Sequence, residues 1–427
     1  MPRKMKDSGI EWIGEIPEDW ELVPGKYLFK NKKTIAGIAE EKYERLALTL
    51  NGVIKRSKIN SDGLQPANFM TYQILNKDEL VFKLIDLQNI NTSRVGISPY
   101  RGIVSPAYII LKKTNEDVDA KFYYYWYYSL YLNQVFNLLG DAGVRSNINS
   151  TELLNIPVPA LSYKSQKFIS RELSTIENKV KNQMKLINQQ IQTLEDYKKS
   201  VITEAVTKGL DKNVEMKDSG IEYINEYPIH WKIKRVKHFI SERKARSKYG
   251  EGELLSVSQY RGVIPSSQNT MRVAQAKSLV GYKIVKNRDL VFNKLNPELA
   301  RFGVSEYEGI TSPDYAVYTV DKNQINEKFL EHILKTDRYA IEYGRVSLGV
   351  GEGFKRLYTN QLGQFNVACP SIQEQEQIVA YLDKKTATID DAIVAKQKQL
   401  EILDEYKKSL IYEYVTGKKE VGDVETI

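Results

Sequence analysis

One long helical pattern occurs twice in the chain, and that duplication constrains the fold more than any other feature. The first copy runs from about Ser165 to Lys208 and carries Leu-Glu-Asp-Tyr-Lys-Lys-Ser from Leu194. The second runs from about Ile372 to Gly417 and carries Leu-Asp-Glu-Tyr-Lys-Lys-Ser from Leu403. Apolar residues recur at steps of three and four, so each copy places a stripe along one side of a helix. In the first copy these are Ile169, Leu173, Ile176, Val180, Met184, Ile187, Ile191 and Leu194. The second repeats the stripe with Ile378, Leu382, Ile389, Ile393, Leu400, Leu403 and Leu410; Leu173, Val180, Ile187, Ile191 and Leu194 would face Leu382, Ile389, Ile393, Leu400 and Leu403. A stripe of that length needs a partner helix, and the simplest partner for each copy is the other.

A second repeat marks where each half begins. Met5–Trp20 and Met216–Trp231 agree at eleven of sixteen positions, including Met-Lys-Asp-Ser-Gly-Ile-Glu and a closing Pro-x-x-Trp. This is an ordered, non-helical clip with a tryptophan anchor, Trp20 or Trp231, whose expected role is packing. Between clip and helix the texture is that of short strands: Leu80-Val81-Phe82 is answered by Leu290-Val291-Phe292. The turn Ser105-Pro106-Ala107-Tyr108 is answered by Ser312-Pro313-Asp314-Tyr315. Asn51-Gly52 and Asp62-Gly63 add turn signals. Lys121–Leu132 reads as a helix with aromatics from Phe122 to Tyr128 on every side. It is expected to be buried, with base stacking as the alternative.

The fold class is therefore α+β, with two strand-rich domains related by an internal repeat and two long helices packed as an antiparallel coiled coil. The expected divisions are 1–161, 162–210, 211–370 and 371–427. A helix of about 43 residues would span roughly 65 Å. The tail after Gly417 is short and polar, and is expected to fray.

Charge narrows the partner. The net charge is +8, which favours an anionic partner, nucleic acid ahead of a membrane surface. Neither an apolar run after the N-terminus nor about 18 consecutive apolar residues occurs anywhere, so a soluble, cytoplasmic protein is expected. Cys369 is the single cysteine, and His230, His238 and His332 stand apart from one another. No metal site and no bound cofactor are expected. Gly349-Val350-Gly351-Glu352-Gly353 lacks the lysine and serine of a phosphate loop. Asn296-Pro297-Glu298-Leu299 shares only its first two residues with the Asn-Pro-Pro-aromatic motif of amino-methyltransferases. No catalytic residues are assigned, and the chain reads as a reader rather than a catalyst.

The candidate DNA contacts are cations. In the first half they are Lys55, Arg56, Lys58, Lys83, Arg94 and Arg145. In the second they are Arg243, Lys244, Arg246, Lys248, Arg261, Lys294, Arg301, Lys355 and Arg356. Lysines at phosphates give affinity, while arginines at base edges give sequence choice. The run from Arg243 to Lys248 is the densest cluster, since its four cations would repel one another without an anion nearby.

The clips, the Tyr-Lys-Lys-Ser helices and Gln373-Glu374-Gln375-Glu376-Gln377-Ile378 after Cys369-Pro370 together resemble the specificity subunit of type I restriction-modification systems. The similarity runs the whole length, in the order domain, helix, domain, helix. One departure is Tyr163-Lys164-Ser165-Gln166-Lys167-Phe168, where the family commonly begins its helix with a Gln-Glu-Gln type segment. The resemblance implies a duplex-DNA reader whose two domains each take half of a bipartite asymmetric site. It also implies docking to two modification (methyltransferase) subunits, and through the complex to restriction subunits. S-adenosylmethionine, ATP and Mg2+ would belong to those partners, and membranes would play no part. Two other readings stay open from residues alone: a coiled-coil scaffold that binds only proteins, and a methyltransferase fused to its own recognition domain.

Overall fold

The computed structural model describes residues 3–59, 68–87, 93–140, 147–259, 261–268, 278–349 and 353–420. The chain divides into two compact units, Met1–Ile187 with Lys398–Ile427, and Asn188–Gln397. Each unit therefore owns part of both long helices, which run Tyr163–Lys208 and Ile372–Val415.

In the first unit a four-stranded sheet has the order Gly52–Arg56, Arg45–Thr49, Gly102–Val104, Gln73–Leu75. Its only parallel neighbours are Arg45–Thr49 and Gly102–Val104. A second sheet, wholly antiparallel, has the order Phe29–Asn31, Ile109–Lys113, Leu80–Phe82, Val95–Ile97. Leu80 and Phe82 face one core and Val81 the other, which is why this short strand is apolar at every position. The core above Leu80 and Phe82 takes in Ile13, Ile16 and Trp20 of the clip and Ile169, Leu173, Ile411 and Val415 of the long helices. The aromatic helix, Ala120–Leu132, lies in the same core, with Phe122, Tyr123, Tyr125, Trp126 and Tyr127 fully buried. Two of its hydroxyls find acceptors inside: Tyr123 donates to the Pro159 carbonyl at 2.8 Å and Tyr125 to Glu177 Oε2 at 2.8 Å. Packing, not base stacking, is the role of this run.

The second unit repeats the plan. One sheet has the order Gly262–Pro265, Leu254–Ser258, Gly309–Thr311, Lys283–Val285, and the other Ile240–Glu242, Tyr315–Val320, Leu290–Asn293, Phe302–Val304. Leu290 and Phe292 again face the helix side while Val291 faces the other sheet. Trp231 is buried and donates from Nε1 to Glu374 Oε1 at 3.0 Å, tying the clip to the start of the second long helix.

The helices run antiparallel within each unit. In the first, Ile169 and Leu173 share a core with Ile411 and Val415, and further along Leu186 and Ile187 lie beside Gln399, Ile402 and Leu403. In the second, Lys198 pairs with Asp390 at 2.6 Å, and Val201, Ala205 and Val206 share a core with Ile378, Val379 and Leu382. Of the expected stripe, Leu173, Val180, Leu382 and Ile389 are buried, whereas Ile187, Ile191, Leu194, Ile393, Leu400 and Leu403 are half-buried. The described part of the tail is hydrogen-bonded rather than frayed. Glu420 accepts from the Arg3 backbone N–H, and Lys418 Nζ donates to the Tyr412 hydroxyl.

One glycine position recurs for a steric reason. Gly102 and Gly309 lie where the parallel strands meet, and a Cβ on either would run into the carbonyl oxygen of Glu44 or Glu253. Those same carbonyls accept from the Ile103 and Ile310 N–H groups at 2.8 Å, so neither can move aside freely. Gly102→Ala should therefore cost about 1–3 kcal/mol by overpacking, read as an earlier urea-unfolding midpoint for the first unit. An unchanged midpoint would remove this close approach from the account.

Candidate nucleic-acid interface

The sheet that carries Arg45–Thr49 and Gly52–Arg56 concentrates cations on the first unit. Thr49 and Gly52 close a hairpin, with Gly52 at φ 85°, a value that suits glycine. That turn fixes the register, and the register sets Arg45 directly opposite Arg56. Like charges facing each other across antiparallel strands repel, and an anion bound between them would relieve that repulsion. Aromatic rings are interleaved with these cations. Arg45 Cζ lies 5.4 Å and Lys58 Nζ 5.8 Å from the Phe69 ring, Lys55 Nζ 5.5 Å from Tyr100, and Arg101 Cζ 5.4 Å from Tyr43. Burial, and then the neighbouring Tyr72, raises the pKa of the Tyr108 hydroxyl, against the opposing pull of Arg45 and Arg56. Tyr108 follows the Ser-Pro turn, and the turn is held by Gln73, whose side-chain amide donates to the carbonyls of Ser105, Pro106 and Tyr108.

The same turn in the second unit is surrounded differently. Lys283 stands where the first unit has Gln73, and pairs with Glu242 at 3.0 Å. Burial works against the Glu242 carboxylate, yet hydrogen bonds from Thr359 and Lys283 carry its pKa below the usual value. Lys294 lies in the same neighbourhood. Burial, followed by repulsion from Lys283 and Arg356, lowers the pKa of its ammonium. Arg356 Nη2 donates to Asp314 Oδ1 at 3.1 Å, and Arg301 bears on Tyr315. Lys355 is exposed, with its Nζ donating to the Gly344 carbonyl at 3.1 Å.

The sequence-selected cations thus separate into groups. Arg56 and Lys58 gather with Arg45 on the first unit's sheet, whose other face carries Lys55; Lys294, Arg301 and Arg356 gather near Asp314 and Tyr315, while Lys355 turns to the Gly344 carbonyl. Arg94 is only 2% exposed and donates to the carbonyls of Ile85 and Asp86 at 2.8 and 2.7 Å, which binds one loop rather than facing a ligand. Lys83, half-buried, gives its carbonyl to the same guanidinium. Arg145 lies outside the described residues. Arg261 is exposed and donates to Gln268. The run from Arg243 to Lys248 does not act as a block. Arg243 pairs with Asp289 at 2.7 Å, while Lys244 and Lys248 are exposed and Arg246 donates to the Gly281 carbonyl. The Arg243–Asp289 pair is matched in the first unit by Lys32–Glu79 at 2.7 Å. In both units the carboxylate also accepts the backbone N–H that opens its turn, from Lys286 or Asn76. This is a scaffold device.

Sequence reasoning missed Arg45, Arg101, Tyr43, Phe69 and Asp314. Arg45 becomes notable only once the register puts Arg56 opposite it. Among the described residues no group of His, Cys, Asp and Glu could hold a metal ion, and no helix is long and apolar enough to cross a membrane.

Two copies of one strand-rich frame, each bearing a different cationic and aromatic face, define a tandem recognition protein for an anionic polymer. The family model described as "Type I restriction modification DNA specificity domain" matches residues 228–402. The putative type I restriction enzyme MjaX specificity subunit of Methanocaldococcus jannaschii is 25% identical, over 95% of both chains. The type I restriction enzyme MjaVIII specificity subunit of the same organism is 24% identical, over 96% of this chain and 95% of that one. A chain from a solved type I R-M system complex superimposes with a TM-score of 0.66 at 12% identity, over 95% of this chain and 99% of that one, a likeness of fold. The chain is thus similar over nearly its whole length to type I restriction enzyme specificity subunits, and its residues 228–402 match the DNA specificity domain of that family.

Two outcomes follow from the ion pair and the cationic sheet. Arg243→Ala strands a carboxylate that is 5% exposed and should destabilise the second unit by about 3 kcal/mol, the low end for a buried pair because the guanidinium keeps a quarter of its surface. Chemical denaturation measures this, and a loss of DNA affinity at unchanged stability would instead make Arg243 a phosphate contact. Arg56→Ala with Lys58→Ala should lower the slope of log affinity against log salt by about two, as titrations of duplex DNA across salt concentrations would report.

Proposed function

We propose that this chain is the sequence-reading subunit of a type I restriction-modification complex, in which each unit takes one half of a bipartite, asymmetric duplex site. The observation that carries the reading is the unlike pair of faces on a shared frame. The first unit offers Arg45, Arg56 and Lys58 on a sheet, while the second offers Lys294, Arg301 and Arg356 around the matching turn. A single target would favour two equal faces, and two different half-sites favour two different ones.

Docking to two modification subunits is supported by apolar surface on the helices. In the first unit Leu186 and Ile402, both more than half exposed, line a groove with Ile187 and Leu403. Such surface on a water-soluble helix pair suits a partner helix. The chain itself supplies recognition and not catalysis on this reading. S-adenosylmethionine would be bound by the modification subunits, and ATP and Mg2+ by restriction subunits joining the same complex. The work is done on DNA in the cytoplasm.

The test is methylation in a host that lacks other type I systems. Expressed with its modification subunit, the chain should place methyladenine in a single bipartite motif, mapped by sequencing modified bases genome-wide. Methylation at one short undivided motif would overturn the bipartite reading, and methylation by the modification subunit alone would overturn the reading altogether.

A further inference from the structure

The second unit carries a carboxylate at its Ser-Pro-x-Tyr turn, where the first has an alanine. Asp314 and Ala107 hold the same place in the repeated Ser-Pro-x-Tyr turn. Around Asp314 stand Arg356, whose Nη2 it accepts at 3.1 Å, and Lys294, on which both act. The side chain of Asp314 keeps 62% of its surface and that of Arg356 keeps 24%. A carboxylate in this position weakens attraction for phosphate, so affinity for the DNA backbone does not account for it. It takes one hydrogen bond from Nη2 of the guanidinium beside it, whose fork geometry suits two-point recognition through the remaining N–H groups.

Four further observations bear on Arg356. Its Nε is buried without an acceptor among the described residues, whereas buried N–H groups are nearly always paired. A buried Nε cannot itself reach a base, so any contact with a ligand falls to the Nη1 and Nη2 groups. Its backbone is anchored, since Arg356 bridges Leu295 and the adjacent Leu357 N–H donates to the Lys294 carbonyl at 3.0 Å. The Tyr358 ring lies 5.8 Å from its Cζ. The loop it bridges holds two non-glycine residues in the left-handed region, Asn296 at φ 47° and Ala300 at φ 46°. Strain of this kind persists where surrounding structure enforces it, and it gathers at ligand-contact sites.

We propose that Arg356 reads a guanine in the second unit's half-site, donating to its O6 and N7 from N–H groups that Asp314 does not use, and that Asp314 is the positioning residue that aims it. This rests on the reading that the second unit faces duplex DNA. Arginine forked onto guanine O6 and N7 is the pairing that major-groove geometry favours. The first unit has Ala107 at the matching position of its turn, a side chain that cannot aim an arginine in this way.

The experiment exposes the full-length chain to a pool of duplexes with randomised positions and sequences those retained. Wild type should enrich a G·C pair at one position of one half-site. Arg356→Ala and Arg356→Lys should each lose that preference by roughly 10- to 100-fold, with every other position kept and binding to an unrelated duplex little changed. Asp314→Ala, which leaves Arg356 in place, should relax the same position alone. Uniform weakening by Arg356→Ala across all sequences would make it a phosphate contact and overturn the proposal. Unchanged selection in Asp314→Ala and Arg356→Lys would reduce the pair to a surface ion pair and overturn it equally. Failure of the wild-type chain to enrich any sequence would strike the underlying DNA-reading function itself, a result distinct from the other two.

Discussion

Burial of the long helices' apolar stripes is the interaction on which the rest of the molecule depends. Neither helix can cover its own stripe, so each unit assembles its core from both of them together with a clip and a sheet. In the first unit this joins the two ends of the chain. Ile13, Ile16 and Trp20 lie in one core with Ile411 and Val415, and Tyr412 donates its hydroxyl to the Ile13 carbonyl at 2.8 Å. In the second unit the clip residue Trp231 meets Val201, Ala205 and Leu382. A core built this way makes the strand-rich part of each unit rigid where it faces the helices and leaves the far sheet free to vary.

That freedom is visible in what the two far sheets carry. The scaffold is kept by devices that recur at matching places: the Leu-Val-Phe strand buried on both faces, the glycine where parallel strands meet, and the ion pair that closes the neighbouring turn. The surfaces do not recur. The first unit sets a like-charge arginine pair on adjacent strands and surrounds it with aromatic rings. The second moves its cations to a strained loop and the segment bridging it, and adds a carboxylate. Stability and recognition are thereby assigned to different residues, so one can change without the other.

Much of the frame was legible in the chain because its signals are local or periodic. The helix stripes, the clips and the short apolar strands each follow from spacing alone. Cations were legible as a class but not as individuals. Four of them in a row from Arg243 to Lys248 suggested one phosphate site, yet Arg243 is claimed by Asp289, which lies 46 residues away. Arg94 resembled a surface contact and proved to be an internal tie between carbonyls. Arg45 drew no notice because a lone arginine on a strand carries no signal until its cross-strand neighbour is known.

The sequence by itself determined that the chain is duplicated, that each half pairs a strand-rich domain with a long amphipathic helix, and that a basic surface results. These are properties of periodicity and composition, which survive without knowledge of who touches whom. Tertiary structure decided how each unit draws on both helices, which cations are spent inside the fold and which stand beside rings and carboxylates. Such choices depend on register and long-range packing, and a side chain's charge has meaning for recognition only after its neighbours have been fixed.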